Sequence, residues 1–272
     1  MKLAYESRGE GPVLVLLHAF PFDRRMWSEE LARLSAGRRV IALDLRGFGE
    51  SPLWGEPTVD EYADDVVALL DGLGIPMAAV LGLSMGGYVA LSIVARHRAR
   101  VSALILADTR AAADSDVARA AREATIRQLR NDGASQFLNG VPERLLSRHA
   151  GLDLRVRVRQ LCSERADALV AATRALAHRP DRTQLLPTLD CPTLVVCGGE
   201  DSTSPASEMR AMALAIPDSE FVEIAGAGHL SNLEAPDRFD DAVARFLAAH
   251  DLSIDTGDTG DTGDTTDTTA AD

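Results

Sequence analysis

The chain has 272 residues, of which 46% are hydrophobic and 25% are charged, a balance typical of folded globular proteins. Its formal net charge of -13 argues against nucleic-acid binding, which needs a basic surface. The start of the chain carries no secretory signal, the first apolar run is too short to span a bilayer, and the three cysteines fit no metal site. We therefore expect a cytoplasmic protein that binds no metal, nucleic acid or membrane, and its oligomeric state stays open.

Short apolar runs alternate with helical patterns over much of the chain. Residues 2–8 are interpreted as an antiparallel edge strand, and continuous apolar runs predict buried strands at 13–17, 40–43, 78–81, 101–107, 193–197 and 220–224. Continuous apolar runs are typical of strands that are covered on both faces, as in a parallel sheet.

Helical spacing of apolar residues predicts helices between these strands, at 27–34, 59–73, 85–97, 205–216 and 236–249. Thr58 precedes the second helix and Glu61 follows three residues later, which is the pattern of a capping box. Strands that alternate with helices in this way predict an α/β fold, in which a mostly parallel sheet is flanked by helices.

The segment 109–189 interrupts this alternation, because it carries only helical patterns, at 117–130, 134–138, 142–147, 155–162 and 166–177. An insertion at the carboxyl edge of a parallel sheet covers the crevice in which ligands bind. We therefore expect an all-helical cap, and the alternative is a helical subdomain with only a packing role. The predicted organisation has three parts. Residues 1–108 and 190–250 form a core, residues 109–189 form a cap, and residues 251–272 form an acidic tail.

The acidic tail repeats the tripeptide Asp-Thr-Gly and, beyond Ile254, holds six aspartates and no basic residue. It has almost no apolar side chains to offset the entropy of ordering, so we expect it to be disordered. The same tripeptide occurs in aspartic proteases, but the apolar flanks and the second lobe are lacking. We interpret that match as accidental.

A glycine-flanked serine marks the third buried strand. Gly82-Leu83-Ser84-Met85-Gly86 joins this strand to the helix that starts at Met85, which is the context of a nucleophile elbow. The tight turn projects the serine hydroxyl. It leaves no room for a bulky side chain at the positions two residues before and two residues after the serine. The motif predicts Ser84 as a catalytic nucleophile, and the alternative is an ordinary glycine-rich turn.

A serine nucleophile needs a base, and the base needs an acid that fixes its tautomer. His229 follows the last strand in a loop, and Asp201 follows the strand before it. Both lie at carboxyl strand ends, as Ser84 does, and the order serine, aspartate, histidine fits an elbow-type triad. Glu200 and Asp108 are the rival acids, and a surface turn residue is the alternative for His229.

The oxyanion of the tetrahedral intermediate needs two N–H donors. The backbone amide of Met85 is one candidate, and the amide of Phe20, in the loop after the first buried strand, is the other. His18 in the same loop is interpreted as a residue that holds the loop.

Taken together, these motifs resemble those of the α/β-hydrolase superfamily, in the branch of 3-oxoadipate enol-lactone hydrolases, small carboxylesterases and cofactor-free haloperoxidases. The segments that carry the resemblance are HAFP at 18–21, DLRGFGES at 44–51, GLSMGG at 82–87, GGED at 198–201 and GAGHLSNLE at 226–234. Ala19 departs from the His-Gly usual in the family, and we expect its added methyl group to narrow the oxyanion hole or to change the path of the loop. Asp44 and Arg46 fit a family turn that is structural.

The resemblance implies a serine hydrolase without cofactors, which cleaves a small-molecule carboxylic ester or lactone through an acyl-enzyme. Two alternatives are a peracid-forming activity of the haloperoxidase type and a ligand receptor. Trp27 and Tyr88 are candidate substrate-binding residues, with helix packing as the alternative for each.

Overall fold

The computed structural model describes residues 2–250, and its strands form one sheet. The strands are β1 (Tyr5–Arg8), β2 (Val13–Leu17), β3 (Arg39–Leu43), β4 (Ala78–Leu83), β5 (Val101–Ala107), β6 (Thr193–Gly198) and β7 (Ser219–Ile224). They lie in the order β1-β3-β2-β4-β5-β6-β7. β1 is antiparallel to β3, and the other neighbouring strands pair in parallel. The α/β fold class and the antiparallel edge strand are therefore confirmed.

Helices flank this sheet on both faces or follow its carboxyl edge. In chain order they are α1 (Ser28–Arg33), α2 (Val59–Gly72), α3 (Met85–His97), α4 (Asp116–Asp132), α5 (Ala134–Asn139), α6 (Val141–Leu145), α7 (Leu152–Leu161), α8 (Ala166–Ala177), α9 (Ala206–Leu214), α10 (Ser231–Glu234) and α11 (Pro236–Ala249). The predicted helices agree with them to within a few residues, and the short α10 was not predicted. None of these helices is long and apolar enough to cross a membrane.

The predicted capping box starts α2. The Thr58 side chain accepts a hydrogen bond from the Glu61 amide (3.1 Å), and the Glu61 carboxylate accepts one from the Thr58 amide (2.7 Å). Two amides without a partner inside the helix are satisfied in this way. The capping box fixes where α2 begins, and α2 packs against α3.

Helices α4 to α8 all lie between β5 and β6, and residues 108–192 contain no strand. Residues 109–189, which contain these helices, are called the helical insertion. The division of the chain at residues 108, 189 and 250 stays a prediction. The predicted disorder of the tail concerns residues outside the described range.

Asp44 and Arg46, the two residues that fit the family turn, hold the loop after β3. The buried Asp44 carboxylate accepts hydrogen bonds from the amides of Arg24 (2.8 Å) and Glu50 (2.9 Å). The Arg46 guanidinium forms a two-pronged ion pair with Asp65, both N···O distances being 2.7 Å. Neither side chain lines the cavity described below, which agrees with a structural role.

Two carboxyl groups are buried where α1, α10 and α11 meet. Glu30 is fully buried and accepts a hydrogen bond from the Asn232 amide group (3.0 Å), while Asp240 lies 3.4 Å from the Arg33 guanidinium. Within residues 2–250, one Glu30 oxygen and both Asp240 oxygens accept no hydrogen bond. Burial raises the pKa of Glu30 to about 8 and that of Asp240 to about 6. In the folded protein both groups therefore keep their protons to a higher pH than in the unfolded chain.

This burial makes stability depend on pH. A carboxyl group whose pKa is higher in the folded than in the unfolded state stabilises the fold at low pH, and this contribution is lost as pH rises. For Glu30 the loss extends from about pH 4.3, the unfolded value, to about pH 8. We expect Glu30→Gln to raise the free energy of unfolding at pH 8.5 by on the order of 2 kcal/mol, about 5 °C in Tm.

Thermal unfolding from pH 5 to pH 8.5 measures this effect. Glu10→Gln, at an exposed position, is the control and should leave the pH dependence unchanged. Asp240 retains a smaller slope near pH 6 in both variants. If Glu30→Gln lowered the Tm at pH 8.5, Glu30 would be stabilising as a charged group, contrary to this account.

Candidate active site

The predicted site residues meet at the carboxyl edge of the sheet. Ser84 directly follows β4, Asp201 follows β6 by three residues, and His229 follows β7 by five. Parallel strands end at the same edge, so residues far apart in the chain are brought together there. All three residues are largely buried, with 9%, 5% and 3% of their surfaces exposed.

Ser84 occupies a strained turn. Its φ of 54° lies in the left-handed region, which a non-glycine residue rarely adopts. The glycines on either side allow close backbone approach: a Cβ on Gly82 would lie 2.2 Å from the Gly86 carbonyl oxygen, and one on Gly86 would lie 2.1 Å from the Leu17 carbonyl oxygen. The serine amide is anchored to the Ala107 carbonyl (2.9 Å). A side chain at either glycine would therefore collide with backbone atoms, so the turn requires glycine at both positions.

The imidazole of His229 joins the other two side chains. Its Nε2 lies 2.8 Å from the Ser84 hydroxyl oxygen, and its Nδ1 lies 2.8 Å from an Asp201 carboxylate oxygen. The second Asp201 oxygen accepts hydrogen bonds from the amides of Thr203 (2.7 Å) and Ser204 (2.9 Å). Asp201, His229 and Ser84 thus form a continuous hydrogen-bonded chain.

The surroundings of His229 change the pKa of its imidazole. Burial lowers the pKa of an imidazole, but the Asp201 charge and hydrogen bond outweigh burial and hold the pKa of His229 above its ordinary value. With Nδ1 donating to Asp201, the neutral imidazole presents an unprotonated Nε2 to the serine. In this state the ring can accept the serine proton.

The rival acids do not reach the imidazole. Asp108 is fully buried and accepts hydrogen bonds from the Gly198 amide (2.7 Å) and the Ser231 hydroxyl. Burial, with a further contribution from the Asp201 charge, raises the pKa of Asp108 to about 7. Glu200 lies beside the exposed His149 instead (3.3 Å). Asp108 therefore ties together the loops that carry Asp201 and His229 and does not contact the imidazole.

The two predicted N–H donors belong to the residue after Ser84 and to the loop after β2. Met85 is the first residue of α3, so its amide has no acceptor inside the helix, and Phe20 lies in the loop after β2. Within residues 2–250 neither amide donates a hydrogen bond to another residue. Both amides are therefore available to a ligand, and the N-terminus of α3 adds its positive dipole end.

His18 holds the Phe20 loop, as predicted from the sequence. Its Nε2 accepts a hydrogen bond from the Leu45 amide (3.0 Å), which leaves Nδ1 to donate to the Ala19 carbonyl (3.0 Å). Burial lowers the pKa of His18, so the ring stays neutral. Ala19 is itself fully buried, and its amide donates to the sulfur of Met26 (3.3 Å).

A cavity of about 410 Å³ opens onto Ser84 and His229. Its other lining residues come from the Phe20 loop, from α3, from the helical insertion and from the loop after Asp201: Phe20, Pro21, Tyr88, Ala118, Ala121, Arg122, Thr125, Phe137, Val141, Arg144, Leu145, Leu176 and Thr203. A cavity of this size, mostly apolar with a few polar groups, is typical of a small-molecule site.

The two candidate substrate-binding residues differ in position. Tyr88 lines the cavity, and its ring stacks under the Arg179 guanidinium at 4.3 Å. Trp27 does not line the cavity: it is fully buried and packs against Phe239, with ring centroids 6.3 Å apart. The prediction of Trp27 as a substrate contact is therefore wrong, and helix packing explains its position.

Sequence reasoning missed the lining residues of the helical insertion. On α4 they recur at positions 118, 121, 122 and 125, which is one face of a helix. This spacing could have identified the face, but its side chains are two alanines, an arginine and a threonine, so no stripe of large apolar residues marked it as inward.

The histidine loop is bonded to the helical insertion. The His229 amide donates to the Leu145 carbonyl (2.8 Å), and the Glu234 carboxylate accepts from the amides of Gly228 (2.7 Å) and Ser147 (3.0 Å). The insertion thus forms part of the framework that positions the imidazole. Residues 2–250 contain no group of three or more histidine, cysteine or acidic side chains able to hold a metal ion.

The chain belongs to the alpha/beta hydrolase fold family, whose model matches residues 12–236. It is 28% identical to 3-oxoadipate enol-lactonase 1 from Acinetobacter baylyi over 87% of this chain and 88% of that one. Among solved structures, a thermophilic esterase from Thermogutta terrifontis, determined with malate bound, is 40% identical with a TM-score of 0.88, over 91% of this chain and 93% of that one. A bromoperoxidase from Bacillus anthracis is 25% identical with a TM-score of 0.80, over 90% and 95%. The predicted family resemblance is confirmed.

The tight turn can be tested through its glycines. In Gly86→Ala the new methyl group would lie against the Leu17 carbonyl oxygen, which is backbone and cannot move aside. We expect a loss of about 3 kcal/mol in the free energy of unfolding, measured by urea denaturation. Gly72→Ala is the matched control because nothing lies within 4 Å of its Cβ, and it should be neutral or slightly stabilising. Equal effects of the two substitutions would contradict the packing described for the turn.

Proposed function

We propose that the protein is a serine hydrolase that cleaves small carboxylic esters or lactones through an acyl-enzyme. The observation that carries this proposal is the 2.8 Å contact between the Ser84 hydroxyl and His229 Nε2, with Asp201 at 2.8 Å on the other side of the ring. Membership of the alpha/beta hydrolase fold family and similarity to an esterase and an enol-lactonase support the same reaction class.

In the first half-reaction the Ser84 oxygen attacks the carbonyl carbon of the ester while His229 takes the serine proton at Nε2. The Asp201 carboxylate stabilises the imidazolium that forms. Collapse of the tetrahedral intermediate breaks the bond to the alkoxy oxygen, which receives the proton from His229 and leaves as an alcohol. The acyl group remains on Ser84. A lactone follows the same steps, but its alcohol stays attached to the acyl group.

In the second half-reaction a water molecule attacks the acyl-enzyme and gives its proton to His229. The second tetrahedral intermediate then collapses, the acid leaves, and the proton returns to Ser84. In both intermediates the oxyanion receives hydrogen bonds from the amides of Met85 and Phe20, which have no acceptor among residues 2–250. The helical insertion acts as a cap, which limits the water that reaches these charges.

The bromoperoxidase similarity favours a second candidate at the same site. Hydrogen peroxide in place of water would turn the acyl-enzyme into a peracid, which oxidises halide. Halogenation that depends on both peroxide and a carboxylic acid identifies this activity. A ligand receptor, the third candidate, would cleave its ligand once or very slowly.

The central test is Ser84→Ala on a panel of short and long acyl esters, lactones and the 3-oxoadipate enol-lactone. We expect kcat on every substrate that the native protein cleaves to fall by about 10⁵-fold or more, since loss of the nucleophile removes the acyl-enzyme route. Ser35→Ala, outside the cavity lining, should retain full activity. Full activity of Ser84→Ala on any cleaved ester would rule out the mechanism.

A second test separates Asp201 from its rivals. We expect Asp201→Asn to lower kcat by about 10⁴-fold, because the correct imidazole tautomer is no longer held. The charge of Asp201 raises the pKa of His229, and activity is lost as His229 is protonated. The acid limb of the kcat/KM profile should therefore move to lower pH in Asp201→Asn.

The matched control is Glu200→Gln, which changes the adjacent carboxylate and should leave kcat within about twofold, because Glu200 does not contact the imidazole. Measurement of kcat/KM between pH 5 and pH 9 for both variants decides the assignment. Inactivation by Glu200→Gln, with Asp201→Asn nearly unaffected, would assign the acid to Glu200.

A further inference from the structure

The charge on the cavity wall is opposite in sign to that of the whole protein. The formal net charge of the chain is -13, yet two arginines, Arg122 and Arg144, line the cavity. Within residues 2–250 no aspartate or glutamate is among the lining residues. A cavity with this lining attracts an anionic ligand more strongly than a neutral one.

Of the two arginines, Arg122 already has a carboxylate partner. Its guanidinium bonds to Asp114, which is buried and which also pairs with Arg179. The shared carboxylate holds Arg122 in place and occupies part of its hydrogen-bonding capacity. Arg122 is therefore less free to bind a ligand than an arginine without a carboxylate partner, although the group of two arginines and Asp114 keeps a net positive charge.

Arg144 has no carboxylate within 4 Å anywhere in the described part of the chain. Its guanidinium donates to the Phe137 carbonyl (3.2 Å) and stacks on the Phe137 ring at 4.6 Å. A guanidinium has five N–H donors in a planar fork, so most of them remain free for a ligand. Partial burial lowers the pKa of Arg144, but an arginine remains charged at neutral pH.

The helix that carries Arg144 is fixed relative to the reacting groups. Val141, Arg144 and Leu145 lie on one face of α6, and all three line the cavity. The carbonyl of Leu145, the next residue, accepts the hydrogen bond from the His229 amide at 2.8 Å. A carboxylate bound to Arg144 would therefore be held at a set distance from the Ser84 hydroxyl.

We infer that Arg144 binds a free carboxylate of the substrate while the ester carbonyl lies at Ser84. The substrate class is then a half-ester or lactone of a dicarboxylic acid, with the apolar side chains of Phe137, Val141 and Leu176 along its methylene groups. The planar fork of arginine matches a carboxylate in two parallel hydrogen bonds. This inference rests on the proposed ester hydrolysis at Ser84 and names the substrate for it.

The experiment compares two series of methyl esters that have nearly the same shape and differ in the charge of one terminal group. One series consists of the monomethyl esters of linear dicarboxylic acids from succinic to suberic, and the other carries a carboxamide in place of the free carboxylate. We expect kcat/KM of the native protein to be about ten- to a hundredfold higher for the best carboxylate than for its carboxamide. The preference should peak at one chain length, because Arg144 is fixed relative to Ser84.

Arg144→Gln should abolish this preference by raising KM for the carboxylates far more than for the carboxamides, and Arg144→Lys should restore part of it. Arg148→Gln, an exposed arginine outside the cavity lining, is the matched control and should keep the full preference. Equal cleavage of the two series by the native protein, or equal losses on both in Arg144→Gln, would overturn the role of Arg144 and leave ester hydrolysis standing. No Ser84-dependent cleavage of either series, nor of the ester and lactone panel, would instead overturn the proposed function.

Discussion

The site depends on one buried imidazole that contacts a hydroxyl on one side and a carboxylate on the other. His229 lies 145 positions after Ser84 and 28 positions after Asp201, so local folding cannot assemble the three. They meet because β4, β6 and β7 run parallel and end at one edge of the sheet. The parallel strands thus position the three side chains, because the order of the strands in the sheet determines which loops are neighbours at its carboxyl edge.

Polar groups buried beside the imidazole are tolerated because nearly all of them are paired. Asp201 accepts two backbone amides as well as the imidazole, and Asp108 accepts an amide and a hydroxyl from the loops on either side. An unpaired buried carboxylate would destabilise the fold, whereas a bonded one makes the loop geometry specific. Glu30 and Asp240 differ, because several of their oxygens accept no hydrogen bond within residues 2–250, and protonation reduces the cost of burial there.

Much of the fold, and the three side chains that meet at the carboxyl edge of the sheet, could be predicted from the sequence, because their signals are local. The glycines around Ser84, the capping box at Thr58 and the apolar strands each follow from a few adjacent residues. The cavity wall could not be predicted in this way. Trp27 packs against Phe239 from the far end of the chain, and the inward face of α4 carries no stripe of large apolar residues. Which arginines of the insertion line the cavity depends on how whole helices pack, and no short pattern encodes that.

The hydrogen bond from the His229 amide to the Leu145 carbonyl has a consequence for how this molecule can change. The insertion is not a separable module, since the Leu145 carbonyl accepts the hydrogen bond that holds the His229 loop. A chimaera carrying the insertion of a relative would change the cavity wall and this hydrogen bond in one step. Changes to the cavity wall are therefore most accessible through single side chains on the inner faces of α4 and α6, which leave the backbone at Leu145 in place.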